Sequence, residues 1–576
     1  MISNTITDST LTSKTTQGIS MTVKRISSVS MLTLAGTLAS AQVLAQVVPN
    51  AGTFIRELET EPAPEVQSST LEVELPEQTP ASASDEGGPS VSVERFVITG
   101  NRAIESAELL ALVEGQQGQS LTLGQLREQA AKITTYYRER GYFLARAYLP
   151  QQDVSNGTVT IDVLEGRLGK VDLSNSSHTA DFVVKRPFRS LEADTMLTAD
   201  TLETPLLRLS DLPGLAVNTT LVPGEEVGTS DLKVDVAQGP WVNGTVELDN
   251  YGNESIGEYR LGGSLQVNSP LGLGDRFDLR ALGSDEEQVF FRAQYQMPVG
   301  PWATNIGAAY SDMDYELGGN FEELDATGNA QITTVFADQS LIRTRELNLN
   351  VQLQYDSKEL QDEIDAFGSD SQKESELYTL TLNGDWRDQF LGGGVTQWAL
   401  AYTWGELTLN SYLDQVIDSV TAQTAGDFER WMPSIMRLQN LGGNWSLHGQ
   451  IHGQFADKNL DSSEKISLGG AYGVRAYAQG EATGDEGYIA NLELRYSLNS
   501  QWQVFGLADY GRVMINKTPW EGITDDDREL SGAGLGARFN SRHWHLSATA
   551  AAPLDNKDTV GDDDDVRLFA RVAWKF

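Results

Sequence analysis

Asn444-Trp445-Ser446-Leu447-His448-Gly449-Gln450-Ile451-His452-Gly453-Gln454-Phe455 alternates from end to end. Trp445, Leu447, Gly449, Ile451, Gly453 and Phe455 share one face. Asn444, Ser446, His448, Gln450, His452 and Gln454 share the other. Side chains of a strand point alternately to opposite sides, so the stretch is a strand with one apolar and one polar face. In a soluble sheet the wet face usually carries charge. Here it carries amides, imidazoles and a hydroxyl, which suits lipid on one side and enclosed water on the other. Residues 346–355 repeat the pattern. Leu347, Leu349, Val351, Leu353 and Tyr355 oppose Glu346, Asn348, Asn350, Gln352 and Gln354.

Working outward, such segments continue from Trp241 to the last residue. Sixteen strands are expected, at 241–250, 256–268, 273–284, 287–299, 301–315, 329–342, 344–358, 375–389, 393–409, 430–442, 444–458, 487–498, 502–514, 530–540, 543–552 and 566–576. Tight turns at 269–272, 390–392, 499–501 and 541–542 alternate with long, mostly acidic links at 316–328, 359–374, 410–429, 459–486, 515–529 and 553–565. Short turns at one end and long loops at the other mark a transmembrane β-barrel of about sixteen antiparallel strands. The final strand sets Leu568, Ala570, Val572, Trp574 and Phe576 on one face and Arg567, Arg571 and Lys575 on the other. Closure is required, because lipid tolerates no open sheet edge.

Composition agrees. The 576 residues carry 42 Lys+Arg against 81 Asp+Glu, a formal charge of −39, which argues against nucleic-acid binding. Mean hydropathy is −0.31, as expected when only alternate residues face lipid. Beyond residue 45 no apolar run is long enough for a membrane helix. There is no cysteine, hence no disulfide and no thiolate metal site. Residues 1–45 read as a signal peptide, with a basic segment from Met21 (an alternative start), an apolar stretch over 26–38 and Val43-Leu44-Ala45 before the cut.

Residues 46–60 include a short helix, and 61–90, rich in Glu, Pro, Ser and Thr, form a flexible acidic linker. Two α+β modules follow at 91–166 and 167–240, each in the order strand, helix, helix, strand, strand. The first has strands at 91–99, 145–149 and 158–164 and helices at 106–113 and 121–140. The second has strands at 168–173, 216–221 and 231–236 and helices at 180–191 and 199–210.

Within 459–486 lies Gly473-Val474-Arg475-Ala476-Tyr477, a glycine-rich loop segment with one cation. The histidines are His178, His448, His452, His543 and His545. His448 with His452, and His543 with His545, share a lumen face and read as polar ladders rather than metal ligands. No Ser-His-Asp arrangement stands out, and Asp525-Asp526-Asp527 and Asp562-Asp563-Asp564-Asp565 lack EF-hand spacing. No enzyme activity, cofactor or metal is expected.

The chain resembles the two-partner secretion transporters, the POTRA-barrel outer-membrane family that exports filamentous haemagglutinins and haemolysins. Tyr142-Phe143-Leu144-Ala145-Arg146-Ala147-Tyr148-Leu149-Pro150-Gln151-Gln152 and Val163-Leu164-Glu165-Gly166 resemble its first POTRA domain. Asp249-Asn250-Tyr251-Gly252 and Ser269-Pro270-Leu271-Gly272-Leu273-Gly274-Asp275 resemble the start of its barrel. Val474-Arg475-Ala476-Tyr477 resembles its VRGY-type loop motif, with Ala476 in the glycine's place, and Leu507-Ala508-Asp509-Tyr510-Gly511 its aspartate-glycine strand motif. The resemblance implies two periplasmic POTRA domains, a sixteen-stranded barrel, a plug helix and an inward-folded sixth loop at 459–486. It implies pairing of Arg475 with Asp509, near Gly511. It places client contacts at Tyr142, Phe143, Tyr148, Pro150 and Gln151, and an assembly signal at Trp574 and Phe576. The expected partners are an unfolded secreted protein, the barrel-assembly machinery and outer-membrane lipid. Two alternatives are weighed. An insertase usually carries a different number of POTRA domains, and a passive porin needs none.

If Asp509 faces the lumen, Phe505 and Leu507 on the same strand face it too, unless a bulge at Gly506 changes the register.

Overall fold

The computed structural model describes residues 49–59, 73–74, 89–300, 302, 304–521, 527–554 and 565–576. The expected signal peptide, most of the 61–90 linker and most of the two acidic runs lie outside the described residues. All elements below belong to one compact unit, Asn50–Phe576.

The first elements are helix α1 (Ala51–Glu59) and a two-residue strand, β1 (Val73–Glu74). The first module contains β2 (Ser90–Ser92), β3 (Arg95–Thr99), α2 (Ser106–Ala111), β4 (Ser120–Thr122), α3 (Leu123–Glu139), β5 (Arg146–Tyr148) and β6 (Thr158–Leu164). The single strand expected at 91–99 is two strands. β2 pairs with β4, and β3 pairs with β6. The chain changes partner at Glu94, where the N–H groups of Glu94 and Arg95 both donate to the Gly157 carbonyl. α3 starts at a capping box in which Thr122 and Gln125 satisfy each other's main-chain N–H. It buries Leu126, Ala130, Ile133 and Tyr137 against the sheet. The Tyr137 hydroxyl donates to Glu165 at 2.8 Å, and burial together with that carboxylate raises the phenol above its usual range.

The second module contains β7 (Arg167–Asn175), α4 (Asp181–Val184), α5 (Ala199–Ser210), β8 (Leu215–Pro223) and β9 (Thr229–Gln238). The helix expected at 180–191 is only the single turn α4 followed by a 3-10 turn, Arg186–Phe188. Pro187 has no N–H to continue an α-helix. The sheet order is β1-β8-β9-β7, so β1, from the linker, covers the edge of β8.

The barrel strands are β10 (Val242–Asp249), β11 (Arg260–Asn268), β12 (Arg276–Ser284), β13 (Val289–Val299), β14 (Thr304–Glu316), β15 (Ala326–Arg343), β16 (Leu347–Ile364), β17 (Ser369–Asp388) and β18 (Gly394–Leu409). After helix α6 (Tyr412–Val420) come β19 (Gly426–Gly442) and β20 (Trp445–Ala456). A small inner hairpin, β21 (Ile466–Ser467) with β22 (Thr483–Gly484), precedes β23 (Glu486–Ser497), β24 (Trp502–Met514), β25 (Asp527–Asn540), β26 (Trp544–Pro553) and β27 (Arg567–Lys575). Leaving out the inner hairpin, these close into one antiparallel sixteen-stranded barrel. The last strand seals it against the first through Thr245–Lys575 to Asp249–Arg571, with Gly244 and Phe576 exchanging main-chain hydrogen bonds. The Phe576 ring lies where a Gly244 Cβ would stand. The alternation assigned to β20 holds, with Ile451 53% and Phe455 51% exposed on the lipid side.

The long loop expected at 359–374 is instead a tight link, because β16 and β17 run on to Ile364 and Ser369. About ten residues suffice to span a membrane, so these strands of 18 and 20 residues stand above it. Glu359 and Glu363 read as loop because water wets the outer face there. Leu360, on that upper wall, is buried.

Candidate functional site

The chain from Asp457 to Asp485 folds inward from the extracellular end. At its root, Leu460 N–H donates to Asp485, and Asn459 bridges the carbonyls of Ala422 and Thr518. Asp461 opens a 3-10 turn, Ser462–Glu464, and the β21–β22 hairpin then carries the chain down the lumen. At the tip, Val474 N–H closes onto the Leu468 carbonyl at 2.7 Å. A Cβ on Gly473 would stand 2.0 Å from that oxygen, so only glycine fits.

Arg475 is 7% exposed and meets the wall. Its main-chain N–H and Nε donate to Asp509 Oδ2 at 3.1 and 2.8 Å, and Nη2 donates to Oδ1 at 2.8 Å. Nη1 donates to Glu493 on β23. Asn491 Nδ2 braces the pair, reaching Asp509 Oδ1 at 2.9 Å and the Gly473 carbonyl at 2.8 Å. Glu493 also receives Arg495 at 2.7 Å and both terminal nitrogens of Arg538 at 2.9 Å. Three guanidinium groups thus share two carboxylates, all bound by more than one contact, which is how a low-dielectric site retains charge.

β24 runs without a bulge through Gly506, so Phe505, Leu507 and Asp509 all face inward. The reason is the loop itself. Leu468, Val474, Ala476 and Tyr477 pack with Phe505 and Leu507 into a buried apolar cluster. Gly511 and Gly532 make room for it. A Cβ at Gly511 would meet Leu468 at 2.9 Å, and one at Gly532 would meet the Ala476 methyl at 2.5 Å. Ala476 is not among the positive-φ residues, so its side chain costs no backbone strain. Tyr477 reaches the Ser531 carbonyl at 3.3 Å.

A second contact zone holds α1. The helix buries Ala51, Gly52, Phe54, Ile55 and Leu58. Ala51 N–H donates to Asp362 at 2.8 Å, and Phe54 packs edge-on to Tyr315 with centroids 4.8 Å apart. Gly52 lies against the loop root, where a Cβ would come 2.7 Å from Ser462 Oγ and from Ser463 N. Lys358, 2% exposed, bridges Glu59 of the helix at 3.3 Å and Glu464 of the loop at 3.1 Å. Arg430 closes on Glu464 at 2.5 Å, and Lys373 on Asp461 at 3.0 Å. Because β16 rises from its periplasmic turn, contact with Asp362 and then Lys358 sets the helix N-terminus toward the outside.

Glu493, Lys358, Glu464, Asp461 and Glu59 are site residues beyond those expected from the sequence. Parity supplied a signal for two of them: Glu493 and Lys358 occupy lumen positions of alternating strands. The loop and helix partners had no such signal.

The POTRA-type candidates divide. Tyr142 packs on Tyr137 in the first core, while Phe143 packs against the second core and so joins the modules. Tyr148 lies on the edge strand β5. It donates to Asp162 at 2.7 Å, and that hydrogen bond raises the phenol above its usual range. Pro150 is half-buried and Gln151 exposed. At the far end, Trp574 and Phe576 lie 5.0 Å apart. Among the described residues no group of three His, Asp or Glu is gathered to hold a metal.

Residues 228–539 match the family described as Haemolysin secretion/activation protein ShlB/FhaC/HecB. The chain belongs to that family. Residues 91–166 separately match the ShlB-type POTRA domain. The heme/hemopexin transporter protein HuxB of Haemophilus influenzae is 27% identical over 545 residues, covering 92% of this chain and 95% of the relative. The outer membrane transporter CdiB of Dickeya dadantii is 24% identical, covering 81% and 83%. Among solved structures, CdiB from Escherichia coli superposes with a TM-score of 0.65 at 22% identity, covering 96% of this chain and all of the other. A BamA from Haemophilus ducreyi lacking three POTRA domains reaches 0.51 at 14% identity, covering 84% of this chain and all of the other. These two superpositions speak to the fold alone. The chain is therefore an outer-membrane transporter of the two-partner secretion kind, which exports a secreted partner protein.

Proposed function

We propose that Arg475 and its partners Asp509 and Glu493 form the gate of the export path, with α1 as its plug. The observation that carries this is that both obstructions hang on buried charges of the barrel wall and meet at Ser462–Glu464. The gate segment is 473–477, with Gly511 giving it room. The plug occupies 46–60, its tether 61–90, the two POTRA domains 91–166 and 167–240, and the barrel 241–576 with its inward loop 459–486.

An unfolded partner, of the haemolysin or adhesin kind that the family resemblance implies, adds a strand to an exposed POTRA edge. Main-chain hydrogen bonds need little sequence agreement. β5, with Tyr148 on it and Pro150 and Gln151 beside it, is one edge. β8 is an edge of the second sheet that β1 already occupies. A partner strand that replaces β1 frees the tether of α1, which links recognition to unplugging. Trp574 and Phe576 serve assembly by the barrel-assembly machinery, and the apolar belt meets outer-membrane lipid. The test pairs planar-bilayer conductance with secretion of the partner. Arg475→Ala should alter the pore and impair secretion while the barrel still assembles. Unchanged secretion removes the gate, and unimpaired secretion after deletion of 91–240 removes the recognition step.

A further inference from the structure

The junction between the second POTRA domain and the barrel carries cations and aromatics that the gate does not use. Residues 182–191 hold Lys185, Arg186 and Arg189 and no carboxylate, in a chain whose net charge is −39. The segment from Asp181 to Arg189 winds continuously to the right, so Phe182, Lys185 and Arg189 come to one side. All three are exposed, Phe182 to 59%, while Val184 and Phe188 fill the core behind them. Lys185 pairs with exposed Asp181 at 3.1 Å, and such a surface pair contributes little.

The segment that carries this face is pinned to the periplasmic rim through Ala180 and Arg186. Ala180 N–H donates to the Gly272 carbonyl at 2.8 Å, and Arg186 Nη1 donates to the carbonyls of Gly300 at 3.1 Å and Pro298 at 3.4 Å. The same two turns expose Leu271 to 67% and Trp302 to 72%. Large apolar side chains at strand ends are the interfacial girdle of a barrel, and cations beside them select anionic headgroups.

We propose that Phe182, Lys185 and Arg189, continued by Leu271 and Trp302, form a docking surface for anionic phospholipid of the periplasmic leaflet. Its consequence is that the second POTRA domain is held to the membrane as well as to the barrel, which fixes the POTRA edges beneath the pore. The occupant is lipid rather than an acidic stretch of the exported chain, because the surface continues the barrel's lipid-facing belt.

The absence of native cysteine permits a direct test on the full chain. Ser190→Cys, carrying a nitroxide, is placed in nanodiscs of phosphatidylethanolamine with phosphatidylglycerol, or of phosphatidylcholine alone. In the anionic disc the label should collide with membrane-dissolved oxygen more than with a water-soluble quencher. The docked-to-undocked ratio should fall about fivefold per cation removed in Lys185→Gln and Arg189→Gln, and recover in Lys185→Arg. Heat-modifiable gel mobility reports that each barrel is folded, and amide exchange over 180–191 gives a reading that needs no label. Equal water access in both lipids overturns the proposal. So does protection that appears only when an acidic polypeptide is added in detergent, which would assign the surface to the exported chain.

Discussion

Arg475 and Asp509, 34 residues apart in sequence, are joined by three hydrogen bonds, one of them from the arginine's own main-chain N–H. The carboxylate therefore fixes the backbone of the loop tip as well as the guanidinium, and Glu493 holds the remaining edge.

Removing one partner of a buried, bonded ion pair costs about 3–5 kcal/mol, since the other charge is left uncompensated. Asp509→Asn should favour loop release by that order, read as more frequent open events in single-channel recordings. Arg475→Lys should not rescue secretion, because an ammonium cannot reproduce the planar fork. Wild-type secretion by Arg475→Lys would show that charge alone suffices.

Phe54 anchors the plug against Tyr315, and its truncation removes a large buried ring. Phe54→Ala should weaken seating by about 3–5 kcal/mol and raise baseline conductance, whereas Arg475 variants leave α1 seated. A cysteine pair linking α1 to the wall should suppress the extra current until reduced. Current that persists in the linked form would place the leak elsewhere.

Two glycines leave room that no side chain can share. Gly473→Ala sets a methyl against the Leu468 carbonyl, and Gly511→Val presses on Leu468 and Val474. Each should cost about 1–3 kcal/mol of loop docking. Limited proteolysis within 457–485 in intact barrels should become faster. Unchanged cleavage would mean the tip adapts.

Val73 and Thr219 are paired residues of neighbouring strands, at a spacing compatible with a disulfide. Val73→Cys with Thr219→Cys should cross-link without competing thiols, since the chain has none of its own. Oxidation should stop secretion and reduction restore it. Secretion that continues in the oxidised form would show that β1 need not leave β8.

The barrel was legible because its rule is local. A residue's parity within β20 or β27 decides whether it meets lipid or water, and parity is written in the sequence. Strand number, the tight turns at 499–501 and 541–542, and the inward parity of Arg571 followed from that rule. The exceptions are instructive. Phe505 and Leu507 break the polar pattern of the lumen, and only the loop packed against them explains why. The extension of β16 to Ile364 was hidden because charged outer positions above the membrane look like loop. The Arg475–Asp509 pair was reachable through family resemblance.

The sequence by itself thus determined the sixteen-stranded wall and the two modules before it, since periodicity and capping act between near neighbours, while the inward fold of 459–486 was implied by the family resemblance. Only the tertiary structure decided that Glu493 serves three arginines, that Lys358 joins Glu59 to Glu464, and that β1 covers β8. Those contacts bring together charges and edges far apart in the chain. Their energy comes from enclosure in a shared lumen or sheet, which no local pattern encodes.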